Sequence, residues 1–239
     1  MKTTKAAKRE RRELRKARQR HRRDHGLRLH PLGGTMDPGD LARLTKAFES
    51  FDPTGPWSTI APMILPVLKR AWHPYPPDME PIHIQVPPGI PTGFGIDVGP
   101  GFSHVTPELV ERWGVDHGTL LGTALENLRT LIETEAPVID RVSHDGVDLQ
   151  FVQGQGWGSA LVLLPDVLRT VVGTTPRVLL APVRNTVVTL PADTDPEFIL
   201  DVWAALAGGA HDALDLDPLR WTGSAVVAYR DTATRGLPN

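Results

Sequence analysis

No cysteine occurs in the 239 residues. Disulfides and thiolate metal sites are therefore excluded, and the chain suits a reducing compartment. Also absent is any run approaching the roughly 18 uncharged apolar residues that a membrane-spanning helix needs. No apolar stretch follows the basic N-terminus, so a secretory signal is not expected. These absences lead us to expect a soluble, cytoplasmic protein with no membrane partner. Catalytic signatures are missing too: there is no His-Glu-x-x-His, no Gly-x-Ser-x-Gly elbow and no phosphate-binding Gly-x-x-x-x-Gly-Lys-Ser/Thr.

Charge is present and unevenly placed. Residues 1–25 carry twelve cations against Glu10, Glu13 and Asp24, a net charge of +9. The whole chain has a net charge of -2, which leaves -11 for residues 26–239. Such a split between segments marks an interaction arm. The arm has little to bury, since Ala6, Ala7, Leu14 and Ala17 are its only apolar side chains besides Met1. We expect it to be a fluctuating helix or disordered in isolation, and to persist as a helix on a polyanion that relieves the repulsion. Lys8, Arg9, Arg11, Arg12, Arg15, Lys16, Arg18, Arg20, Arg22 and Arg23 are the candidate nucleic-acid contacts. Counterion release would make that binding salt-sensitive and independent of sequence. The arm lacks aromatic residues to stack on bases, and it lacks the apolar face that would enter a lipid interface.

Beyond the arm, glycine and proline at Gly26, Pro31, Gly33, Gly34, Pro38 and Gly39 make residues 26–40 read as a linker. Asp40 is placed to cap a helix to about Phe51, with Leu41, Leu44, Ala47 and Phe48 on its buried side. Trp57 to Trp72 reads as short or kinked helix, because Pro62 and Pro66 interrupt it. Ile82, Ile84 and Val86 suggest an edge strand among prolines, and Phe94, Ile96 and Val98 another strand. Thr106 and Gly114 bracket one short helix, and Asp116 opens a second that carries Leu120, Leu121, Ala124, Leu125, Leu128 and Leu131 on one side. Val147, Leu149 and Phe151 alternate with Asp148 and Gln150 as in a half-buried strand. A glycine-rich loop at 154–158 then leads to an apolar helix near 159–170 and a strand pair near 177–190. Asp195-Pro196-Glu197 opens a helix that Gly208-Gly209 ends, 219–229 reads as a last strand and 230–239 as a frayed tail. The expected fold class is α+β, a mixed sheet packed with helices in a single domain over 41–230. An internal sub-boundary would fall near 74–92.

Several segments in order resemble the YtpQ-like family of uncharacterised bacterial proteins, over roughly residues 94–190. The helix Ala124-Leu125-Glu126-Asn127-Leu128-Arg129-Thr130-Leu131 is similar to that family's Ala-x-x-Asn-Leu-Arg-Ser-Leu helix. Gly156-Trp157-Gly158-Ser159-Ala160 is similar to its Gly-Tyr-Asp-Ala-Ser turn. Arg177–Pro182 and Val183-Arg184-Asn185-Thr186-Val187-Val188 resemble its strand, turn and return strand. Gly158 and Asn185 stand where the family tends to have aspartates, so a role built on those carboxylates does not transfer. The resemblance implies a fold class and leaves the function to the residues.

Other candidates are read against blander roles. Gly154–Ser159 lies where a phosphate-cradling loop would sit, but its spacing fits a plain glycine-rich turn better. Trp157, between two glycines, is a ligand contact or, more in keeping with its size, a hydrophobic plug. The neighbouring pairs Asp116-His117, His144-Asp145 and His211-Asp212 form no metal-ligand spacing, and His21 and His25 lie in a positive field that repels a divalent cation. Asn127 lies near the apolar side of its helix, suited to a backbone partner, whereas Arg129 is placed to reach solvent or an acidic partner. Neither a cofactor nor a metal is expected. Three readings stay open. The first is a non-enzymatic accessory protein contacting RNA, DNA or a ribonucleoprotein through its arm. The second is a protein–protein module using the apolar 56–91 region, with a solubilising arm. The third, ranked last, is a nucleotide-binding enzyme using the 154–159 loop.

Overall fold

The structure, a computed structural model, describes residues 38–70, 80–98, 101–208, 210 and 213–229. The candidate contacts of the arm, most of the expected linker and the expected tail lie outside the described residues. Residues 31–239 belong to one unit.

Helix signals that combine a cap with an apolar stripe are used as the sequence spells them. After two helices, α1 (Pro38–Ser50) and α2 (Trp57–Ile60), the third, α3, spans Pro107–Trp113. The Thr106 hydroxyl accepts from the Leu109 N–H at its start, and Gly114 closes it in the left-handed conformation at φ 65°. Helix α4 (His117–Thr134) begins where the Asp116 carboxylate accepts from the Thr119 N–H at 2.7 Å. Helix α5 covers Pro165–Val172, and α6 covers Pro196–Ala207. The Asp195 carboxylate caps α6 by accepting from Glu197 and Phe198. The expected cap residue Asp40 is, by contrast, the third residue of α1, which begins at Pro38, and Phe48 is 38% exposed.

The fold is α+β, and every strand pairing among the described residues is antiparallel. One sheet holds β1 (Ile64–Leu68), β2 (His83–Val86), β3 (Ile90–Asp97) and β4 (Phe102–His104). β1 pairs with β3 along one side, while β2 and β4 pair with its other side. β1 replaces the second half of the expected kinked helix. Pro62 is accommodated in a short 3₁₀ turn over Ala61–Met63, and all five residues of Ile64–Leu68 are then buried against β3. An edge strand tolerates Pro66 because its missing N–H would face away from the neighbour. Since β1 and β3 share a sheet, the chain on either side of 74–92 is joined by backbone hydrogen bonds.

The second sheet has the order β10-β9-β7-β8-β6-β5, built from β5 (Val138–His144), β6 (Val147–Gln153), β7 (Arg177–Val183), β8 (Thr186–Pro191), β9 (Leu219–Trp221) and β10 (Val226–Ala228). The expected last strand is thus a hairpin, turned near Gly223 at φ 97°. The helix expected near 159–170 is two pieces, a 3₁₀ segment Gly158–Leu163 and then α5. The break falls at Leu164, whose backbone at φ -122° and ψ 79° lies outside the helical region that a following proline disfavours. Nor is β6 half-exposed: Leu149, Gln150, Phe151 and Val152 are all buried. The Gln150 amide donates to the Val171 carbonyl of α5, which covers that face. On the other face α6 packs against β7, and its Phe198 ring lies 6.0 Å from His144.

Helix α4 ties the sheets together. Leu120 and Ala124 join Ile64, Phe94, Ile96 and Trp113 in one apolar cluster, and Leu128 joins Leu65, Leu161, Leu164 and Trp221 in another. The Asn127 amide, one turn above Ala124, donates to the carbonyls of Ala61 at 2.6 Å and Ile64 at 2.9 Å. This is the backbone role its position implies.

Candidate functional site

Three surfaces compete as the working site among the described residues: the glycine-rich loop after β6, the depressions beside β1, and the outer edge of β5.

The loop is assembled against the turn between β7 and β8. The Gly154 N–H donates to the Asn185 carbonyl at 3.0 Å, and the Ser159 N–H donates to the Arg184 carbonyl at 2.9 Å. The Gly156 N–H donates to the Asn185 side-chain oxygen at 2.8 Å. Trp157 and Gly158 donate back to Gly154, and Ala160 donates to Trp157. The amides that a phosphate would need are therefore already engaged within the protein. Gly156, at φ 80°, takes a conformation that side chains rarely adopt. Gly158 sits so close to the Asn185 carbonyl that a Cβ would overlap it.

Trp157 is 2% exposed and fills the space beneath the loop with Leu161, Leu164 and Leu168. Its ring occupies the place a Gly154 side chain would need. Its indole N–H meets no acceptor among the described residues, a cost outweighed by burial of so large a ring. Phe102 of β4 lies over Gly156, and the Arg184 guanidinium is stacked 5.1 Å from the Phe102 ring centre. Trp157 is thus a plug. Gly158 and Asn185 touch each other. The Asn185 amide oxygen does structural work there by accepting from Gly156.

Two depressions lie beside β1. One is bordered by Pro62, Met63, Leu65, Asn127, Thr130 and Thr134. There Asn127 serves two carbonyls, and the hydroxyls of Thr130 and Thr134 donate to carbonyls of their own helix. The other lies where β2 and β4 meet on β3, with Arg70, His83 and His104 around Gly93. The His83 ring covers Gly93, at 3.2 Å from where a Cβ would be.

Among the described residues the ionisable groups give no cluster able to hold a metal ion. The Asp116 carboxyl is held below its usual range by the Thr119 backbone N–H and hydroxyl, a helix-cap effect. For Asp166, partial burial raises the value, but the hydrogen bond and charge of Arg129 at 3.2 Å more than offset it and leave it lowered. His117 is exposed beside its capping neighbour. His144 Nε2 is 3.9 Å from Asp145 Oδ2, and His211-Asp212 lies outside the described residues. Among the described residues no three His, Asp or Glu side chains come together to hold a metal ion. No helix among them is long and apolar enough to cross a membrane.

The β5 edge, which the sequence did not announce, is the open surface. Six of its seven residues are exposed, among them Val138, Ile139 and Val142 at 60%, 43% and 40%. Much of the apolar 56–91 region instead faces inward, with Ile60, Ile64, Leu65, Val67, Leu68 and Ile90 buried.

No protein-family model matches the chain, and neither a curated protein nor a solved structure matches it.

Proposed function

We propose that this protein is a non-enzymatic cytoplasmic accessory protein whose basic arm contacts RNA, DNA or a ribonucleoprotein while its acidic α+β domain serves as the body of the assembly. The observation that carries this reading is the charge split, +9 in residues 1–25 against -11 in the rest. A dense cationic segment without aromatics binds by phosphate neutralisation and counterion release. The engaged amides of the 154–159 loop weigh against the nucleotide-enzyme alternative. Kinship with the YtpQ-like family stays part of this proposal.

The test is a salt series of RNA and duplex-DNA binding. It compares the full chain with a variant in which Lys8, Arg9, Arg11, Arg12, Arg15, Lys16, Arg18, Arg20, Arg22 and Arg23 are changed to Gln. The expected outcome is binding whose logarithm falls steeply with log salt, by roughly 0.9 per phosphate neutralised on duplex DNA, and is lost in the variant. Equal binding by both chains at physiological salt would remove the reading. A protein–protein module is the second reading, favoured by the exposed apolar residues of β5.

A further inference from the structure

The outer edge of β5 has a determined hydrogen-bonding phase. His144 and Val147 flank a two-residue turn in which Asp145 and Gly146 both have positive φ, 52° and 78°. Such a turn closes on a hydrogen-bonded pair, so His144 and Val147 exchange backbone bonds. In an antiparallel ladder those pairs alternate, which makes Val142–Leu149 and Asp140–Phe151 hydrogen-bonded as well. The N–H and C=O groups of Ile139, Arg141 and Ser143 therefore point away from β6. No described strand pairs with that edge. It is long, free of proline and free of bulges, features that protected edges avoid.

We propose that this edge pairs with β5 of a second copy of the chain, antiparallel and about a two-fold axis at Val142. This rests on reading β5 as a contact edge and is independent of what the arm binds. Charge rules out two of the registers. A two-fold axis normal to the sheet keeps each face continuous, so every residue meets one of the same face across the axis. An axis at Asp140 would set the two Asp140 carboxylates opposite each other, and an axis at Arg141 would do the same to two guanidiniums. Like charges directly opposite are destabilising. With the axis at Val142, the two valines meet in a non-hydrogen-bonded pair, where side chains approach most closely. Asp140 then faces the His144 imidazole of the second copy, which can donate to the carboxylate. Arg141 and Ser143 exchange their outward backbone groups with Ser143 and Arg141 of the second copy. The self-complementary order of Asp140, Arg141, Val142, Ser143 and His144 satisfies an edge that no described strand covers. The result is one continuous sheet across two copies, with weak, concentration-dependent association because a single strand pair buries little area.

Sedimentation velocity of the full chain over a concentration series tests this, together with Val142→Lys, Val142→Glu and Ser143→Pro. The wild type should show a monomer–dimer equilibrium. Val142→Lys and Val142→Glu alone should each weaken it about tenfold or more, by setting like charges on the axis, and an equimolar mixture should regain it as a heterodimer. Ser143→Pro removes an outward N–H and should abolish dimerisation while leaving the circular dichroism spectrum of the monomer unchanged. A wild type that stays monomeric throughout, or a dimer that survives both charged substitutions, overturns the proposal. So does a mixture no better associated than its parts, or a proline variant that still dimerises.

Discussion

Strand β6 has two neighbours of opposite character. At its C-terminal end the chain runs into Gly154–Ser159, glycine-rich and placed where binding loops are found. Along its outer side runs β5, whose sequence Val-Ile-Asp-Arg-Val-Ser-His shows neither strict alternation nor a helical stripe. The loop is closed, with its amides engaged and Trp157 beneath it. Among the described residues the strand is open, with its apolar side chains exposed and half of its backbone groups turned away from β6. The contrast teaches that a glycine loop becomes a site only when its amides are left free. That depends on what packs against it, here the turn at Arg184 and Asn185 from the neighbouring hairpin.

Substitutions on the two sides should therefore fail in different ways. Trp157→Ala should have the largest effect, about 3–5 kcal/mol of stability in urea unfolding, because it opens a cavity in the main apolar cluster. A loss below about 1 kcal/mol would mean that the ring is not a plug. Asn185→Ala should cost less, about 1–2 kcal/mol, by leaving the Gly156 N–H without its acceptor. Val142→Ser on β5 should change monomer stability least, within about 0.5 kcal/mol, since the side chain is largely outside the core. A stability loss there matching that of Asn185→Ala would place β5 inside the fold rather than at its open edge.

The sequence made some of this legible and hid the rest for physical reasons. Helices α3, α4 and α6 could be read because their caps are local: Thr106, Asp116 and Asp195 bond to amides two or three residues away. Asn127 and Arg129 could be read because a helix fixes which way a side chain points. β1 could not, because Pro62 and Pro66 dominate the local signal while its strand form is imposed by β3 some thirty residues later. Gln150 looked exposed for the same reason. Its acceptor, the Val171 carbonyl, belongs to a helix that only folding brings above the strand. The Gly154–Ser159 turn could be recognised as a glycine turn, but its closure by Asn185 could not.

Amide hydrogen exchange on the full chain tests the contrast most directly, because it reads both sides of β6 in one experiment. In dilute solution the N–H groups of Gly154, Gly156, Gly158 and Ser159 should exchange slowly, while those of Ile139, Arg141 and Ser143 exchange quickly. Loop amides that exchange as fast as those of the β5 edge would contradict the account, and the loop would return as the site to pursue.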